Sequence, residues 1–272
     1  MKFTSQIKQL TFDESHNNYS CTYRNRTRKF VLCLPQNTQN APLILMLHGY
    51  GQSSAQMQTT TGFDKIACAQ GFAVAYVDGA PDPEVKTSST GWLYGNGKYA
   101  KDDLDFLEDL ALFLQKKYSL GKNISAIGFS NGAFMCTKLA TQKSRTFNSI
   151  VSVAGMMPKN VWEEWNKKSN HSHTSAFFQI NGTKDDVVPM DFTGSSKYNQ
   201  NPAMEKVIEY YRKGNKCPSS YTESKLSDAS TMYSYGTKVA WVIIDGGYHS
   251  WPKPQFAQFE PEKVILEFFE KQ

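Results

Sequence analysis

The stretch Ile124-Ser-Ala-Ile-Gly128-Phe-Ser130-Asn-Gly132-Ala-Phe-Met135 decides how the chain reads, because a short apolar strand, a Gly-x-Ser-x-Gly turn and a helix follow one another without a break. This is the pattern of a nucleophile elbow. Ser130 must sit on a turn tight enough to strain its own backbone. Gly128 and Gly132 leave room where a β-carbon would strike the neighbouring strand or helix. The hydroxyl then stands clear of the sheet edge, and the backbone N–H of Asn131, opening the helix, points to where an oxyanion would form. The same tract also occurs as a plain Gly-rich turn. The strand before it and the helix formers from Ala133 to Ala140 carry the sharper reading.

Upstream, Pro42 to Leu47 is a continuous apolar run, as expected for a strand buried on both faces, and it ends in His48-Gly-Tyr50-Gly-Gln-Ser53. That Gly-rich loop allows close backbone approach to a ligand; its plainer reading is a strand-to-helix turn. Ala55 to Gln70 reads as one helix ended by Gly71, and Phe72 to Val77 as another buried strand. Asp78 to Ala100 is a long Pro-, Gly-, Ser- and Thr-rich segment with Trp92, Tyr94 and Tyr99, and such loops in compact domains are usually functional. Its Gly95-Asn-Gly97 mimics a dinucleotide fingerprint, but no apolar strand precedes it. Asp102 or Asp103 can cap a helix running to Gly121, which leads back to the elbow. The N-terminal stretch from Gln6 to Leu34 suits short strands, Tyr19 to Tyr23 and Lys29 to Leu34, forming an antiparallel edge.

Downstream, Phe147 to Val153 and Ser175 to Ile180 read as strands, separated by an irregular insertion from Met156 to Thr174. His171 and His173 in that insertion lack acidic or Cys companions at metal-ligand spacing and read as loop residues. The second of these strands opens into Asn181-Gly-Thr-Lys-Asp185-Asp186-Val-Val-Pro189. A helix around Ala203 to Lys213, a polar stretch to Asp228 and a strand from Val239 to Ile244 lead to Asp245-Gly-Gly-Tyr-His249-Ser-Trp251-Pro252. Pro261 to Glu270 closes the chain as a helix. This alternation predicts one α/β domain over residues 1–272, with a mostly parallel central sheet, helices on both faces and an antiparallel N-terminal edge.

The 272 residues are 40% hydrophobic and 20% charged, which suits a chain with a sizeable core rather than a disordered one. The net charge of +5 is dispersed, and its densest run, Arg24 to Lys29, reads as a solvated hairpin, so nucleic acid is not an expected partner. No apolar run reaches the length of a membrane span, and Met1 to Leu10 has no secretory h-region. As written the chain reads as soluble and cytoplasmic, or as secreted if a leader preceded it. Five cysteines without Cys-x-x-Cys pairing suggest neither a zinc site nor a redox dithiol. Cys21 and Cys33 lie on the two hairpin strands, though an ideal register would not set them opposite.

His48 to Gly51, Ser130, Asp185 and His249 each follow a predicted strand directly, and in open α/β sheets ligands gather at that edge. Their order, loop, Ser, acid, His, is that of the α/β-hydrolases. Four motifs, Leu47-His-Gly-Tyr-Gly-Gln52, Gly128-Phe-Ser-Asn-Gly132, Gly182-Thr-Lys-Asp-Asp-Val-Val-Pro189 and Gly246-Gly-Tyr-His-Ser-Trp-Pro252, resemble the polyhydroxybutyrate depolymerase and feruloyl/acetylxylan esterase family. The resemblance covers roughly Pro42 to Trp251. It implies Ser130 as nucleophile, Asp185 rather than Asp186 as acid, His249 as base, and Trp251 beside the acyl pocket. The oxyanion would rest on the N–H groups of Asn131 and Tyr50, with one or more of Trp92, Tyr94 and Tyr99 as a further wall of the substrate pocket. No metal or organic cofactor is expected, and the partner is a small or polymeric ester. A peptidase of the same fold is an alternative, as is a catalytically idle module holding a glycan or polymer through Trp92, Trp162 and Trp251. Peptidases of this fold commonly add a propeller or lid, and a binder has no need of Ser, Asp and His together.

Overall fold

The computed structural model describes residues 7–13, 17–81, 89–95, 101–166, 174–191 and 200–272. It resolves into two compact units, Met1–Ala126 and Ile127–Gln272.

In the first unit, β1 (Lys8–Asp13), β2 (Asn18–Tyr23) and β3 (Arg26–Cys33) form an antiparallel meander. The chain then passes through β4 (Leu43–Leu47), α1 (Ser54–Thr61), α2 (Phe63–Ala69) and β5 (Ala73–Val77). β4 and β5 pair in parallel and β3 joins β5 antiparallel, giving the order β1-β2-β3-β5-β4. β4 and β5 are fully buried along their length, as their unbroken apolar runs require. A two-residue ribbon of β6 (Ala80–Pro81) and β7 (Thr90–Gly91) precedes α3 (Asp102–Tyr118), and β8 (Ile124–Phe129) crosses the boundary between the units.

Three expectations change here. The helix read from Ala55 to Gln70 is two helices, because Gly62 takes a left-handed φ of 55° and closes α1 with its N–H on Gln58. The capping residue of α3 is Lys101. Asp103 sits in the first turn, buried, and receives Arg28 at 2.6 Å, while Arg24 pairs with Asp102 and Asp105. The basic run is therefore not all solvated: Arg28 is 3% exposed, with its guanidinium over the Phe106 ring. Burying that charge is tolerable only because a carboxylate meets it directly. In keeping with the register read from the sequence, Cys21 stands opposite Arg28, five residues and about 17 Å along β3 from Cys33.

The second unit continues with α4 (Asn131–Gln142), β9 (Ser149–Val153), α5 (Lys159–Asn166), β10 (Ala176–Gly182) and α6 (Met204–Gly214). It ends with β11 (Thr222–Lys225), β12 (Ser230–Tyr235), β13 (Val239–Ile244), α7 (Pro254–Ala257) and α8 (Pro261–Glu270). Its strands run β8-β9-β10-β13-β12-β11; β9, β10 and β13 are parallel, and β12 and β11 turn antiparallel. Alternate residues of β10 face opposite layers: Phe177 stacks on Tyr211 of α6 at 4.0 Å, and Phe178 meets Phe268 of α8 at 5.2 Å. The antiparallel hairpin β11–β12 and the helix α5 lie in stretches that read as polar or irregular. Mostly half-exposed, Ser/Thr-rich strands carry little of the apolar signal by which strands are found. No described helix is long and apolar enough to cross a membrane.

Candidate active site

Ser130 caps α4 with φ 52° and ψ −116°, a backbone state that residues with a side chain seldom adopt and that costs about 1–3 kcal/mol. The surroundings hold it there. A β-carbon on Gly128 would lie 2.3 Å from the Gly132 carbonyl, so the turn closes only with glycine, and the Ser130 N–H is anchored on the Val153 carbonyl at 3.0 Å. The Asn131 N–H opens the twelve-residue helix α4 beside the hydroxyl.

The loops after β10 and β13 are stitched to each other. Thr183 N–H donates to Ile244 O, Lys184 N–H to Gly247 O, and Gly246 N–H to the Thr183 hydroxyl, which in turn donates to Asp245. Gly182 and Gly247 touch: a β-carbon on the first would lie 2.2 Å from the carbonyl oxygen of the second. This contact brings Asp185 and His249 to one point. His249 Nδ1 lies 2.8 Å from Asp185 Oδ2, and His249 Nε2 lies 2.9 Å from Ser130 Oγ. The other carboxylate oxygen of Asp185 accepts the N–H groups of Val187 and Val188 at 3.0 and 2.7 Å. Asp185 is 4% exposed; Asp186 faces outward. An ionised carboxylate only accepts, so Nδ1 of His249 carries the proton and Nε2 presents its lone pair to the serine.

In the first unit, the loop after β4 is organised by a second histidine. His48 is fully buried; its Nε2 accepts the Gly79 N–H at 2.9 Å and its Nδ1 donates to Gly49 O at 2.7 Å. Burial pushes its pKa below the usual histidine value. Within the loop, Gly49 N–H binds the Gln52 side chain, Gly51 N–H binds Thr90 O and Gln52 N–H binds Gly49 O. Among the described residues the Tyr50 N–H has no acceptor, and its side chain is 62% exposed.

The two buried tryptophans expected around the substrate have their indole N–H groups committed to protein acceptors. Trp251 is 4% exposed and its indole N–H donates to Glu262 of α8 at 2.8 Å, an anchor for the loop that carries His249. Burial raises the Glu262 pKa above the ordinary carboxylate value. Trp92 is buried in the first unit, with its indole N–H on His48 O at 2.9 Å. Tyr94 is half-buried, its backbone N–H on Trp92 O, and Trp162 of α5 meets Tyr210 edge-on. Tyr99, His171 and His173 lie outside the described residues. A cavity beside the His249 loop is lined by other side chains. Largely apolar and about 420 Å³ in volume, it is bounded by Val153, Ile180, Ile244, Tyr248 and Phe256 among others. Tyr248 and Phe256 are 66% and 74% exposed. Neither was singled out from the sequence, although Tyr248 directly precedes His249 and Phe256 follows two prolines.

A family model described as "Putative esterase" matches residues 21–258. Over 167 residues the chain is 28% identical to "Putative esterase NocK" of Nocardia uniformis subsp. tsuyamanensis, covering 58% of this chain and 46% of that protein. Over 211 residues it is 26% identical to the bifunctional acetylxylan esterase/xylanase XynS20E of Neocallimastix patriciarum, covering 77% of this chain and 27% of that protein. The matches thus span less than half the length of these curated relatives. Among solved structures, an acetyl xylan esterase from Aspergillus awamori superposes with TM-score 0.68 at 11% identity, over 97% of this chain and 99% of that one. An S-formylglutathione hydrolase from Agrobacterium tumefaciens follows the same path with TM-score 0.59 at 12% identity, over 98% and 99%. At such identities the likeness is one of fold.

Proposed function

The chain belongs to the esterase family, with the α/β-hydrolase fold, and from that premise we propose that it is a serine carboxylesterase acting through Ser130, His249 and Asp185. The observation that carries this reading is the pair of contacts through one imidazole, 2.8 Å to Asp185 and 2.9 Å to Ser130. Ser130 Oγ attacks the ester carbonyl and gives its proton to His249 Nε2. Asp185 steadies the imidazolium that forms, and the oxyanion takes the N–H of Asn131 at the start of α4. The tetrahedral adduct expels the alcohol, which leaves with the proton from Nε2. Water, deprotonated by the same nitrogen, then releases the acid. Triad, ester and water account for every proton and electron pair.

The substrates we assign are short-chain or aromatic acyl esters, free or borne by a polymer such as acetylated xylan or a hydroxybutyrate polyester. The cavity along the base loop supports this choice. Its volume suits a compact group, and Tyr248 and Phe256 offer flat faces to one. In this reading Trp251 holds the loop and does not touch the acyl group, and residues 1–272 work as a single catalytic domain. Labelling with a fluorophosphonate, followed by peptide mapping, should place the adduct on Ser130. Hydrolysis of p-nitrophenyl acetate and butyrate should far exceed that of the palmitate. Phe256→Ala should alter the preference between methyl ferulate and p-nitrophenyl acetate. Absence of a fluorophosphonate adduct would end the proposal, and palmitate as the best substrate would remove the assigned acyl class.

A further inference from the structure

All five cysteines are thiols, but they are not equivalent. Cys21 and Cys136 are buried, while Cys33, Cys68 and Cys217 are each partly exposed. Cys33 ends β3 directly opposite Val74 of β5. Cys68 lies in the last turn of α2, which packs on β5, and its thiol bonds to the backbone of the same Val74. Two strands and a helix thus bring both sulfurs to one residue, where the thiols hydrogen-bond to each other.

We propose that Cys33 and Cys68 form an oxidisable pair that closes to a disulfide on meeting a low-molecular-weight disulfide, stapling α2 to the meander of the first unit. The pair is asymmetric in the way that exchange needs. The hydrogen bond donated by Cys68 favours the Cys33 thiolate and lowers its pKa, while the same bond and burial hold Cys68 protonated. With oxidised glutathione, the Cys33 thiolate attacks one sulfur and releases one glutathione thiolate, leaving a mixed disulfide. Cys68 then loses its proton and attacks the Cys33 sulfur, forming the internal bond and expelling the second glutathione. Two thiols are oxidised and one glutathione disulfide is reduced. The closed loop holds β4, the His48–Gln52 turn, α1 and most of α2, so the bond restrains the segment that leads out of that turn. This inference does not depend on the esterase reading.

The test uses the full chain incubated with oxidised glutathione, with thiols counted before and after and tryptic peptides mapped without reduction. Trypsin cuts after Lys65, so the bond should appear as the peptide Phe30–Lys65 linked to Ile66–Lys86 and vanish with dithiothreitol. Cys217, also accessible but in the other unit, should take at most a glutathione adduct. Closing a loop of this length should raise the melting temperature by about 5 °C or more. In Cys68→Ser, Cys33 should stop at the mixed disulfide. Glutathione carried separately on Cys33 and Cys68, retention of both thiols, or a linked peptide with no rise in melting temperature would each overturn the proposal.

Discussion

Two loops of this molecule carry a histidine just beyond the end of a buried strand, and they put it to opposite uses. In the first unit, His48 is sealed: both ring nitrogens are spent on backbone groups, Gly79 N–H and Gly49 O. In the second, His249 is partly exposed and both nitrogens face side chains, a carboxylate and a hydroxyl. Residue type and topological place are the same; the partners differ. A backbone partner fixes a tautomer and a loop shape, whereas a carboxylate paired with a hydroxyl leaves a proton free to move between named atoms.

The comparison breaks most sharply at the serine. Ser130→Ala should lower kcat by a factor on the order of 10⁵ while far-UV circular dichroism stays unchanged, and retained turnover would mean that the His249 contacts are ornamental. Next comes the acid. Asp185→Asn should cost about 10⁴ in kcat through loss of the productive tautomer, while Asp186→Asn, on an outward-facing side chain, should stay within a few-fold. If the two variants exchange places, the acid is Asp186.

The sealed loop should answer in stability. His48→Ala leaves the Gly79 N–H buried without an acceptor and opens a void, for a loss of about 2–4 kcal/mol in urea unfolding. Its titration sharpens the point. The folded-state pKa of His48 lies below its unfolded value near 6.5, so the unfolded chain binds the proton more readily. Its stabilisation is therefore present above about pH 6.5 and lost as the pH falls through the folded value. His48→Gln should flatten the acid side of the stability profile; an unchanged slope there would place the pH dependence in other groups. The smallest effect is expected at Trp251→Phe, about 1 kcal/mol from the lost bond to Glu262, with the ranking of acyl groups unchanged. A changed ranking would return Trp251 to the substrate pocket.

Much of this was legible before any coordinates. β4, β5, β8, β10, β13 and α8 are written in continuous apolar runs or in helical spacing, and Ser130, Asp185 and His249 sit where short-range motifs place them. What escaped is what short-range pattern does not encode. The β11–β12 hairpin, mostly half-exposed, has too few apolar residues to announce itself, and Gly62 breaks a helix whose composition gives no other sign of a break. Trp251 and Trp92 were read for their bulk, yet each indole found an acceptor inside its own unit, which only long-range packing decides. Arg28 looked solvated because its partner Asp103 lies 75 residues away in the sequence.

The contact between Gly182 and Gly247 carries a consequence for how such a catalyst can change. Because a β-carbon on Gly182 would strike the Gly247 backbone, the loop after β10 cannot gain a side chain at that point without pushing Asp185 away from His249. The two loops are a single heritable piece: an engineer grafting one onto another scaffold must graft its mate. Variation is therefore steered away from the crossing point and toward positions such as Phe256, a cavity-lining residue whose side chain can be traded without disturbing the contacts of His249 with Asp185 and Ser130.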